Sequence, residues 1–169
     1  PTDYNGFAVS GFEAFAPPIP FLRNYVRNER LYERLSRHLV DVIKKEKIDL
    51  VHAQHVLTGP PSVMAARRTG IPSVCTVRDY WPVCYWGDVL VDPVAGVVCP
   101  GCSAAGMTRC LRPRTGPAWP ATLPMIPYMR GNLRRKRASL AAADVIVAVS
   151  RHVENALRDR APELSRTVS

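Results

Sequence analysis

Three stretches decide the fold: IDLVHA at residues 48–53, PSVCTV at 72–77 and DVIVAV at 144–149. Each is rich in β-branched residues and too short for a helix. Runs of this kind suit strands buried on both faces, as in parallel sheets. Helical patterns stand between them. Pro60 and Pro61 open a segment that runs through Met64, Ala65 and Ala66 to Gly70, because proline is tolerated in a first turn and glycine accepts the left-handed exit. A second helix is predicted over roughly 129–143, and Ser150 is placed to cap a third through His152, Val153, Ala156 and Leu157. Upstream, Leu22, Tyr25, Tyr32, Leu35, Leu39 and Val42 recur at threes, fours and sevens, which predicts a long amphipathic helix over about 21–47. Strands alternating with helices give an α/β domain with a Rossmann-like parallel sheet flanked by helices. Two parts break the rhythm. Residues 1–20, with Pro17, Pro18 and Pro20, read as a short extended segment. Residues 82–127 read as a Cys-rich insertion: a hairpin from two Val-rich stretches, then an extended return.

Composition narrows the function. The chain has 169 residues, 47% hydrophobic and 22% charged, the profile of one ordinary globular domain. No apolar run is long enough to span a membrane, and no charged-then-apolar leader precedes the domain, so a cytoplasmic protein is expected. Twenty-three Lys and Arg against 14 Asp and Glu leave a net charge of +9, which favours anionic partners: lipid head groups, phosphates or nucleic acid. No GxGxxG follows a strand, and neither GxxxxGK[ST] nor GxSxG occurs. A dinucleotide half is therefore disfavoured, and a P-loop and a hydrolase elbow are excluded.

In open α/β sheets, ligands bind beyond the carboxyl ends of the strands, where loop amides and helix N-termini converge. The first run is followed by Gln54-His55, the second by Arg78-Asp79-Tyr80-Trp81, the third by Ser150-Arg151-His152. His55, Arg78, Asp79, Tyr80, Trp81 and Ser150 are thus the candidate binding residues. Flat aromatic faces beside charges suit a polyhydroxylated or anionic ligand. His52, inside its strand, reads as a core histidine, and His152 as a surface residue.

Cys84, Cys99, Cys102 and Cys110 crowd into 27 residues, with a Pro-Gly knuckle between the middle two. A structural zinc would take such a tetrahedral set and give the insertion the core it lacks. An iron–sulfur cluster, disulfides and free thiols are the alternatives. Cys75, inside a strand, reads as an inert buried thiol. Arg130, Arg134, Arg135, Lys136 and Arg137 place five cations on a predicted helix beside apolar and aromatic residues. That pairing suggests a peripheral site on an anionic membrane, with a solvated helix face and nucleic acid as the other readings.

The ordered set IDLVHAQH at 48–55, GIPSV at 70–74, VRDYWPVC at 77–84 and ADVIVAVSRH at 143–152 resembles the N-terminal domain of a family 4 (group 1) glycosyltransferase of GT-B fold. The resemblance covers about residues 22–165. It implies half of a two-lobed enzyme that moves a sugar from a nucleotide-sugar to a glycan or lipid-linked acceptor, with retention at the anomeric carbon. This lobe would bind the acceptor, the other lobe the nucleotide-sugar, and no metal would be needed for transfer itself. It also implies an incomplete lobe over 1–169, inactive alone. Arg78 departs from the histidine that many relatives carry there; a guanidinium is no base but offers a fork of donors to an anion. From a different class comes the alternative of a basic metal-knuckle module that binds nucleic acid or acidic partners without catalysis.

Overall fold

The computed structural model describes residues 2–164 and 167–169. Strands β1 (Thr2–Tyr4) and β2 (Phe7–Val9) form an antiparallel hairpin. Its turn, Asn5-Gly6, has both residues at positive φ, 51° and 84°, the geometry that asparagine and glycine tolerate best. Helix α1 (Pro20–Tyr25) runs through a π-helical turn (Val26–Leu31) into α2 (Tyr32–Glu46), so the long amphipathic helix is present with one distorted turn. Then follow β3 (Val51–Ala53), α3 (Gly59–Thr69) and β4 (Ser73–Val77). Beyond β4 come the hairpin β5 (Leu90–Asp92) and β6 (Val97–Val98), α4 (Ala104–Thr115), a 3-10 turn (Gly116–Thr122) and α5 (Met125–Ala141). The chain closes with β7 (Val145–Ala148), α6 (Arg151–Arg160) and a 3-10 turn (Pro162–Leu164).

The central sheet has the order β3-β4-β7, all parallel, with Ala53 beside Cys75 and Val77 beside Ala148. Val168 adds a parallel bridge to Val147. On one face, Ala53, Cys75, Val77, Ile146 and Ala148 are buried in a core with Val63 of α3, Leu140 of α5 and Val153 and Leu157 of α6. On the opposite face His52 and Val145 are exposed and Val74, Thr76 and Val147 half-buried. His52 is therefore not a core histidine; its Nε2 stands 2.8 Å from Thr76 Oγ1 on that open face.

The segment over 82–127 differs from expectation. Its hairpin is present, but the extended return is helical. Pro127 falls in the first turn of α5, where a missing N–H costs least, and Pro113 lies inside α4 two residues before its end, where only the last turn is affected. The segment also has a core of its own. Met107 and Leu111 of α4 pack on Met129 and Leu133 of α5, with Tyr85, Trp86 and Cys102 around them.

A latch fixes the amino end of the sheet. Ser73 N–H and Oγ–H both donate to Asp144 Oδ2, at 2.8 and 3.0 Å. The Ser73 backbone bond and then its hydroxyl hold the Asp144 carboxyl below its usual range. A lowered carboxyl stabilises the fold above its unfolded value, about 3.9, and loses that contribution as pH falls through the folded one. Asp144→Asn should therefore lower Tm at pH 7, and the gap from wild type should close as pH falls through the lowered value of the folded carboxyl. A gap unchanged from pH 7 to pH 2 would contradict this.

Candidate functional site

Because the three strands are parallel, their carboxyl ends share one edge, and Val149 N–H ties two of them by donating to Val77 C=O at 3.1 Å. Exposed His55 follows β3. Its Nδ1 accepts the Leu57 N–H at 3.2 Å, and its carbonyl takes the N–H groups of Thr58 and Gly59. That turn starts α3. After β4 the side chains diverge. Arg78 is exposed and makes no hydrogen bond or ion pair among the described residues. Asp79 accepts the Trp81 N–H at 2.8 Å, an Asx turn that redirects the chain.

Tyr80 is half-buried and meets His152 edge-on, ring centroids 6.1 Å apart. Trp81 leaves the edge altogether. It is 4% exposed, within the main core, and a Cβ on Gly59 would stand 3.6 Å from its ring and 3.2 Å from Cys75 Sγ. Trp81 is packed as a core residue, between the start of α3 and β4. Ser150 accepts the Val153 N–H on its Oγ at 3.4 Å and caps α6.

The ends of the three strands thus put His55, Arg78, Asp79, Tyr80 and Ser150 on one edge of the sheet, the exposed Arg78 following the strand end that is bonded to the residue before Ser150. A guanidinium and a capped helix N-terminus on one edge suit a phosphate or a developing negative charge. His152 is exposed, as the sequence suggested, and with Tyr80, Asn155 and Asp159 it also lines a cavity of about 210 Å³ against Val89 and Val98. The signal was there in the spacing of His152, Asn155 and Asp159 along one helical face.

The four clustered cysteines do approach one another. The Cys84 and Cys102 thiols hydrogen-bond each other, which pulls Cys84 down and pushes Cys102 up. Cys84 Sγ also lies 3.8 Å from Asp88 Oδ1, while the Cys99 and Cys110 thiols donate to the Gly101 and Met107 carbonyls. Among the described residues no three His, Cys, Asp or Glu side chains are arranged to hold a metal ion. Cys75 has its thiol pushed up to about 11 by burial, inert as expected.

Neighbours on a helix point about 100° apart, so the five cations divide between faces, and Arg130, Arg134 and Arg137 line one cavity. Arg130 and Arg134 are exposed. Arg135 pairs with Glu29. Lys136 is 6% exposed, its ammonium 5.7 Å from the Tyr85 ring centroid. Arg137 donates to the Pro82 carbonyl at 2.7 Å and pairs with Glu163. No helix among the described residues is long and apolar enough to cross a membrane.

Comparison with known families gives one match: the model described as Glycosyltransferase Family 4, over residues 5–168. No curated protein and no solved structure matches the chain.

Proposed function

The chain belongs to Glycosyltransferase Family 4, and from that premise we propose that it is the acceptor-side lobe of an enzyme that transfers a sugar from a nucleotide-sugar, with retention at the anomeric carbon. The observation that carries this reading is the shared carboxyl edge, which an unpartnered Arg78 has in common with the loop of His55 and the capped start of α6. Arg78 and the α6 amides bind a phosphate of donor or acceptor. His55, Asp79 and Tyr80 meet the hydroxyls of the acceptor, a glycan or a lipid-linked sugar. Arg130 and Arg134, exposed one turn apart, provide what contact the lobe makes with an anionic membrane. The nucleic-acid alternative would draw on Arg130, Arg134 and Arg137, which line one cavity.

A structural zinc stays a proposal for the insertion, supported by four cysteines in one neighbourhood, three from loops and Cys110 from α4. A stoichiometric metal content in the purified protein supports it, and four freely titrating thiols remove it.

The test of the main reading is transfer itself. The whole enzyme is incubated with labelled UDP- and GDP-sugars and a lipid-linked and soluble acceptor panel, and the product anomer is read by NMR. Product with the donor's configuration is expected. An inverted product ends the retention claim, and no transfer together with steeply salt-dependent nucleic-acid binding overturns the whole reading.

A further inference from the structure

Away from the strand ends, α5 and the π-helical turn leading into α2 enclose a cavity of about 380 Å³, within the size range of small-molecule sites, about 300–1,000 Å³. Its walls carry Glu29, Glu33, Arg135, Lys136 and Asn132, and Met64 of α3 supplies an apolar surface. Glu29 is paired with Arg135, and Glu33 with Arg37 and Arg68 from outside the cavity, so the two carboxylates are already neutralised and the space does not call for a cation. Acceptors and donors are interleaved, which is what a ring of hydroxyls requires, since each hydroxyl both gives and takes a hydrogen bond. The methionine offers a surface for the C–H face of such a ring.

A second observation points the same way. Asn132 is 2% exposed, yet its Oδ1 has no hydrogen-bond partner among the described residues. Buried polar atoms are nearly always paired, and an exception in a cavity wall calls for a partner from outside the chain. The cavity is also tied to the strand-end site. Tyr32, on its wall, donates its hydroxyl to the Val56 carbonyl at 2.9 Å, and Val56 follows His55 in the loop after β3.

We propose that this cavity is a subsite for a neutral pyranose unit of the acceptor, held by Glu29, Arg135 and Asn132 and positioned through the Tyr32–Val56 contact relative to the carboxyl edge. The proposal rests on the glycosyltransferase reading for the word acceptor, but not for the binding of a sugar.

Ala138 lines the cavity from an exposed position on α5, so Ala138→Trp fills the space with little disturbance of the core. Ser139→Phe is the second blocking variant. Circular dichroism melts check that both stay folded. The probes are methyl α- and β-pyranosides of glucose, galactose, mannose and N-acetylglucosamine, followed by saturation-transfer NMR on the whole enzyme. At least one is expected to bind wild type, and tenfold or more weaker to the blocked variants, with the acceptor KM raised tenfold and the donor KM unchanged. Absence of binding to wild type, or equal binding by a folded blocked variant, overturns the proposal. Transfer that proceeds while glycosides ignore the cavity ends this inference alone. Glycosides that bind in the cavity of a protein with no transfer activity end the glycosyltransferase reading alone.

Discussion

Replacement of Arg78 by alanine is expected to lower sugar transfer about a hundredfold, the usual cost of removing one preorganised donor at a developing charge. The melting temperature should stay within a degree or two, because the side chain is exposed and contributes no hydrogen bond or ion pair among the described residues. Its position explains the size of the effect. Val77, the last residue of β4, is held to the end of β7 by the Val149 N–H, so Arg78 follows a fixed strand end. Arg78→Lys should recover part of the loss, since it restores charge without the planar fork. Unchanged kinetics in the alanine variant would remove Arg78 from the site.

Trp81→Ala, only three residues on, should act through the opposite channel. Trp81 lies against Cys75 of β4 and Gly59 at the start of α3. Truncation of so large a buried ring leaves a cavity and costs about 3–5 kcal/mol, a fall of roughly 10 °C in Tm for a domain of this size. Variant that remains folded should bind substrates with near-normal KM. A variant with wild-type Tm and a strongly raised KM would return Trp81 to the cleft and contradict the packing described above. The pair of substitutions thus separates a contact residue from a core residue within one turn.

The sheet was legible because parallel strands announce themselves as short β-branched runs, and α3 and α6 because Pro60, Gly70 and Ser150 mark their ends by local backbone chemistry. Each of those signals is satisfied within a few residues of itself. Trp81 was not legible, since its burial comes from packing between β4 and the start of α3, far earlier in the chain. His52 misled for a related reason: its strand is buried on one face only, which the run of apolar neighbours does not reveal. The five cations from Arg130 to Arg137 looked like one patch in the linear sequence, and helical geometry turned Lys136 inward and gave Arg135 and Arg137 to Glu29 and Glu163. The prolines after residue 112 were read as breakers, although near the end of α4 and the start of α5 they break little. The Asn5-Gly6 turn is a strong local signal that the Pro-rich context overshadowed.

The account stands on the strand-end edge as the place where sugar substrates are handled. Hydrogen exchange of the whole enzyme, with and without a saturating mixture of UDP- and GDP-sugars and lipid-linked acceptor, tests that claim most directly. Slowed exchange is predicted in the backbone amides of residues 54–58, 78–80 and 149–153. Slowing confined to other parts of the lobe, with those three loops unchanged, would contradict it.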